Sequence, residues 1–349
     1  MKEMYAAKKA EVLAGEEREG MDLMGALVKG AGITPETLGP PLSSEKPQAS
    51  PNHAFSDDEI LGNAFVFILA GHETTANSIH FSLLYLALHV QSQRRLQKDL
   101  DSIFQSRPIS EWDYERDLPK LFGGMAGAVL NEELRLIPPV VSIPKKIAAG
   151  SPQTLLVDGK KIHLEGGTQI SLVSVVTHRN PRYWPHGPPS DPEHPAHPES
   201  NLDNDLEEFK PERWLLDPSS GKATSNGHVN VHHQVDKAET DDLGVNTAAD
   251  TAATLFHPLK GAYIPFSEGY RACLGRRFAQ VEVLAVLAVI FSQYSVELAV
   301  DEYATDEEVE KMDESGQREV WGKAATLAKS LMRTGMGSII TVSYQTKSV

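Results

Sequence analysis

From Phe55 to His89 apolar residues recur at three- and four-residue spacing with no proline, and Ser56 stands three positions ahead of Glu59 where the run begins. A serine hydroxyl that accepts from the third helical N–H, with a glutamate reaching back, forms a capping box. The pattern therefore predicts one helix from Ser56 to about His89, roughly 50 Å long. The same spacing predicts shorter helices over 1–14, 21–30, 90–105 and 118–136, the last stopped by Pro138 and Pro139. From 140 to 177 the character changes: TLLVDGKKIHL places an Asp-Gly turn between β-prone runs, and TQISLVSVV reads as another strand. A helix from about Leu274 to Tyr294 follows, then an acidic helical stretch and a closing strand in SIITVSYQ. The chain is expected to be mainly α with a smaller β region.

Residues 33–54 are rich in Pro, Ser and Gly, so the chain divides into an N-terminal segment of short helices and linker, 1–55, and a main domain, 56–349. Two polar stretches, near 186–208 and 217–255, are expected as mobile surface loops within that domain. Of 349 residues 40% are hydrophobic and 23% charged, which fits a globular protein. A formal net charge of −15 argues against a general nucleic-acid binder. The opening MKEMYAAKKAEVLAGEEREG is charged throughout. The longest apolar run, ILGNAFVFILAG over 60–71, is interrupted by Asn63 and followed by His72 and Glu73. Spanning a bilayer takes roughly 20 apolar residues. No membrane segment or anchor is expected in this chain, and residues 60–71 read as a buried helix of a soluble protein.

The chemistry begins with Cys273, the only cysteine, in FSEGYRACLG. One cysteine cannot close an internal disulfide, which leaves buried filler, nucleophile or metal ligand. On the long helix Asn63, Val66, Phe67, Ala70 and Thr74 share one face, with Ala70 and Gly71 removing bulk and Thr74 able to bond back to a helix carbonyl. Glu132 and Arg135 are adjacent on a helix surface. His194 and His197, like His232 and His233, have metal-ligand spacing but lie in the polar stretches, where surface loop is the simpler reading. His178 and Arg179 either cap a strand end or reach a cofactor edge. Lys260, Arg271, Arg276 and Arg277 form a basic cluster in an acidic protein.

FSEGYRACLG resembles the haem-ligand signature of the cytochrome P450 family, and three further motifs stand in that family's order: AGHETT at 70–75, EELR at 132–135 and FKPERW at 209–214. The resemblance runs from about residue 56 to the end of the chain, and the polar loops and the GMGSIIT ending look like fungal members. It implies the cytochrome P450 fold, incomplete at the N-terminus because the family's long N-terminal half corresponds to only about 55 residues here. Cys273 is then the axial ligand of haem b, iron protoporphyrin IX, with Phe266, Gly269 and Gly275 shaping its loop, Ala70 making room beside the haem, and Arg271 and Lys145 facing propionates. Glu73 and Thr74 resemble the family's acid and alcohol pair for proton delivery. Glu132, Arg135 and Arg213 resemble its buried structural clamp. Val66, Phe67, Ala70, Val140, Val141, Ile143 and Met336 would line an apolar substrate pocket.

The implied activity is that of a haem-thiolate monooxygenase, since a thiolate ligand favours O–O cleavage. Such an enzyme inserts one atom of O2 into a small, apolar organic substrate, with electrons reaching it from NADPH through a reductase docked on the basic, cysteine side. Two alternatives belong to other classes: a haem-binding remnant without turnover, and a cysteine hydrolase pairing Cys273 with His178. Full-length eukaryotic relatives are anchored at the endoplasmic reticulum, whereas no anchor is expected within these 349 residues.

Overall fold

Ser56 caps the long helix in the way its sequence position requires, its Oγ accepting from Glu59 N at 3.3 Å while Glu59 Oε2 accepts from Ser56 N at 2.8 Å. Helix α3 then runs unbroken over Asp57–Leu88. In the computed structural model residues 1–15, 23–33, 55–190, 204–216, 254–334 and 342–346 are described. The chain forms two compact units, Met1–Thr74 and Thr75–Val349, divided within α3 and not in the linker before it.

In the first unit α1 (Lys2–Ala14) and α2 (Leu23–Gly30) join the start of α3. Tyr5, Val12, Val28 and Ile60 form its small core, and the Tyr5 hydroxyl donates to Asp57 Oδ1 at 2.6 Å.

The second unit is built on α4 (Val90–Phe104), α5 (Tyr114–Gly123), α6 (Met125–Leu136) and α8 (Arg276–Gln293). The helix expected over 118–136 is two helices. The backbone leaves helical geometry at Gly124, and the Asp99 carboxylate caps the second helix by accepting from Met125 N at 2.8 Å. Gly127 is needed for this corner, because a Cβ there would lie 2.1 Å from the Phe122 carbonyl oxygen. α6 is buried on every side except at Asn131, which explains why its two glutamates and its arginine face interior surroundings.

The β region is three antiparallel pairs. β2 (Gln153–Val157) and β3 (Lys160–Leu164) form the expected Asp-Gly hairpin. β1 (Ser142–Lys146) pairs with β4 (Gln169–Val173) in the register Ile143↔Leu172 and Lys145↔Ile170. The sequence pattern did not mark β1, because Pro144 argues against a strand away from a sheet edge. β4 also ends sooner than TQISLVSVV suggests. Ser174 donates its hydroxyl to Val140 O at 2.8 Å and opens a helical turn, α7 (Ser174–Thr177). β5 (Tyr294–Leu298) pairs with the closing strand β6 (Val342–Thr346), and the acidic stretch between them forms α9 (Asp306–Lys311) and α10 (Glu314–Thr334). Among the described residues no helix is long and apolar enough to cross a membrane.

Candidate functional site

The loop that carries Cys273 is a closed hairpin. Cys273 N donates to Phe266 O at 2.8 Å and Ala272 N to Gly269 O at 2.9 Å. Gly269 has φ +73°, a conformation that disfavours side chains, and a Cβ there would meet nothing within 4 Å. Gly275, by contrast, has an ordinary φ of −84° and is the residue from which α8 starts. Cys273 is exposed, three residues ahead of the positive end of the α8 dipole. Beside it Tyr270 is 96%, Leu274 80% and Phe278 59% exposed, an apolar shelf that no described residue covers, and Arg271 is exposed as well. Of the remaining basic cluster, Arg276 lies over Phe266 and Arg277 over Phe122, ring distances 5.7 and 4.2 Å, while Lys260 is exposed.

Glu132, Arg135 and Arg213 are brought together with no solvent exposure. Arg135 grips Glu132 with two bonds of 2.8 and 2.9 Å, and Arg213 Nε reaches the same carboxylate at 2.9 Å. Trp214 Nε1 and the backbone N–H of Lys210 supply two more donors to it. The spare guanidinium hydrogens end on carbonyls, Arg135 on Leu206 and Arg213 on Pro185 and Asp205. Asp205, 3.4 Å from Arg213, brings the group to two carboxylates and two guanidiniums. The paired arginines hold the Glu132 carboxyl down at about 2, although burial alone would raise it. Neither Asp205 nor Trp214 was marked as part of the clamp by sequence. Trp214 follows Arg213 directly, which is a faint signal, while Asp205 sits in an aperiodic polar stretch that gives none.

Along α3, Thr74 Oγ1 donates to Ala70 O at 2.8 Å, the back-bond its position allows. Ala70 and Glu73 are exposed, and so is Val66, at 58%. Phe67 is half-buried. The expectation of a buried helix over 60–71 is therefore corrected: Ile60 and Ala64 are buried, but Phe65, Val66, Ile68 and Leu69 all lie open. In the second unit Val140 and Val141 are exposed, and Ile143 and Lys145 are half-buried on β1. Met336 and the four loop histidines, His194, His197, His232 and His233, lie outside the described residues.

His178 is buried, and its Nε2 accepts from Ile264 N at 2.8 Å, so it ties the β region to the segment ahead of the cysteine loop. Burial lowers its pKa to about 4. With its accepting nitrogen occupied, it cannot serve as the base a cysteine hydrolase would need.

These features fit a haem. The second unit offers a single thiol on an exposed apolar shelf, at a turn left open by a glycine. The cytochrome P450 family profile matches residues 41–315. A cytochrome P450 monooxygenase of Arthrobotrys oligospora is 27% identical over 70% of this chain and 36% of its own length. One of Polytolypa hystricis is 30% identical over 73% of this chain and 34% of its own, and a putative cytochrome P450 of Caenorhabditis elegans 32% over 69% and 34%. The chain thus spans little more than a third of the length of these relatives.

Proposed function

Because this chain belongs to the cytochrome P450 family, we propose that it supplies the haem-thiolate side of a monooxygenase, with Cys273 as the axial ligand of haem b. The observation that carries this reading is the closed hairpin from Phe266 to Cys273, which presents the lone thiol on an open apolar shelf. Bound haem with such a ligand supplies reductive activation of O2. The chain's own residues do the rest. Leu274 and Phe278 give the macrocycle an apolar seat, and Arg271, exposed in the same loop, is assigned to a propionate. Lys145 is proposed for the second propionate.

Thr74 holds a proton at Oγ1, now donated to the Ala70 carbonyl, and swinging that hydroxyl away frees it for proton delivery, with Glu73 as the exchangeable acid. Val66, Phe67, Val140, Val141 and Ile143 supply apolar contacts for an organic substrate. Glu132, Arg135 and Arg213 act on structure alone, since none reaches solvent. Electrons come from NADPH through a reductase, and the exposed Lys260 is its first contact on the cysteine side, because Arg276 and Arg277 are engaged with aromatic rings and Arg271 is assigned to a propionate. The open face at Phe65, Val66, Ile68 and Leu69 supports a further part of this reading: turnover requires that face to be covered. Each large apolar side chain left in water forgoes roughly 1.5–3 kcal/mol.

The test is NADPH- and reductase-driven oxidation of an apolar substrate panel, scored per electron consumed, with and without the relatives' remaining segment supplied. Thr74→Ala should leave haem content unchanged and divert electrons to peroxide. An unchanged ratio of product to electrons would remove Thr74 from proton delivery.

A further inference from the structure

Behind the cysteine hairpin lie two cavities of about 190 and 70 Å³ that share the walls His257, Pro258, Tyr263 and Arg276. The smaller also meets Asn131 and Gln280. Two buried polar atoms on its lining make no hydrogen bond among the described residues: the donor Arg276 Nε and the acceptor Gln280 Oε1. They sit one turn apart on α8, so both belong to one face of the helix. Buried donors and acceptors are nearly always paired, and a polar cavity of this size has room for water. Arg276 also holds the hairpin at both ends. Its backbone N–H reaches Cys273 O at 3.4 Å, and its guanidinium covers the ring of Phe266, whose carbonyl accepts from Cys273 N.

We infer that the smaller cavity is a built water site, in which bound water accepts from Arg276 Nε and donates to Gln280 Oε1, and that Gln280 is thereby a positioning residue for the Cys273 hairpin. Water is the occupant because the site needs one acceptor and one donor within a single small molecule, and Tyr263 already spends its hydroxyl on Asn131 at 3.2–3.3 Å. Gln280 fixes the Arg276 side chain through that bridge, and Arg276 keeps the two arms of the loop closed. The positioning role toward a haem ligand rests on the proposed function; the water site does not.

The test is amide hydrogen exchange at Cys273 and Arg276 in the 349-residue chain, with and without added haem, for wild type, Gln280→Met and Gln280→Glu. Methionine keeps the packing and loses the acceptor; glutamate keeps the acceptor. Exchange at both amides should rise about tenfold in Gln280→Met, the scale of one hydrogen bond, with an unchanged melting temperature, and stay at the wild-type rate in Gln280→Glu. In haem-loaded protein the methionine variant should also show a larger fraction of the blue-shifted carbon monoxide form that marks a lost thiolate. Equal exchange in all three proteins, or a high-resolution crystal structure with that cavity empty, overturns the inference. If instead Cys273→Ala leaves the haem spectrum unchanged while the exchange pattern holds, the water site stands and the ligand assignment fails.

Discussion

The clamp around Glu132 and the middle of helix α3 are both dictated by short motifs, yet they reach opposite ends of the burial scale. Glu132, Arg135 and Arg213 are sealed from solvent, and their charges are met by carbonyls, an indole N–H and Asp205. From Phe65 to Leu69 most of the helix surface is apolar and lies open. The first region finds every partner it needs within one unit. The second has a complete helix and, among the described residues, no cover for it. Regular backbone structure is a local property of sequence, whereas burial depends on what lies opposite.

The contrast is broken most severely at the clamp. Glu132→Ala leaves two buried guanidiniums facing each other, and should cost about 3–5 kcal/mol in denaturant unfolding. A loss under 1 kcal/mol would mean that the carbonyls around Arg135 and Arg213 suffice without the carboxylate.

Acid should act on the same region. The His178 imidazole takes up a proton near 6.5 when unfolded but only near 4 when folded, so the folded state loses stability as pH falls from 6.5 to 4. Glu132 extends the loss from 4.5 down to about 2. Unfolding free energy measured across this range should fall in both windows, and His178→Gln should lessen the fall in the upper one without abolishing it, because burial also lowers the His89 imidazole to about 4.

Glu133 works in the opposite sense. It is fully buried, neither oxygen has a hydrogen bond within normal geometry among the described residues, and burial raises its pKa well above the ordinary value, only partly opposed by the nearby Ser78 hydroxyl. Its folded-state preference for the neutral form is fully present below about pH 4.5 and lost as pH rises. Glu133→Gln should therefore match wild type in acid and be the more stable protein at neutral and higher pH. Equal stability at every pH would show that water reaches this carboxylate.

The smallest effect belongs to the open helix. Phe65→Ser with Leu69→Ser should change the chain's unfolding free energy by no more than about 0.5 kcal/mol, as surface substitutions do. A loss of several kcal/mol would show that this face is covered in solution.

Much of this was legible from residue patterns. The capping box at Ser56 and Glu59 and the Asp-Gly hairpin are local devices that act within four residues, and both form as read. The members of the clamp were named only through the family resemblance that EELR and FKPERW carry, since the spacing of Glu132 and Arg135 by itself gives no more than a surface pair. What the sequence hid depends on distant partners. β1 escaped notice because Pro144 sits in a strand that only its pairing with β4 reveals. The break at Gly124 depends on Asp99, 25 residues earlier in the chain. His178 left two readings open until Ile264 N, 86 residues away, was seen to donate to it. The exposure of Phe65, Val66, Ile68 and Leu69 has no local signature, since an apolar helix looks the same whether or not anything packs on it.

The measurement that bears most directly on the central claim is the absorption spectrum of the haem-loaded chain, reduced and bound to carbon monoxide, compared with Cys273→Ala. A thiolate ligand shifts the Soret band far to the red of a histidine-ligated haem. Wild type should show that shift, and Cys273→Ala should lose it while keeping the helical circular dichroism of the fold. A band at the histidine-ligated position in wild type, or the same red-shifted band in both proteins, would contradict Cys273 as the ligand.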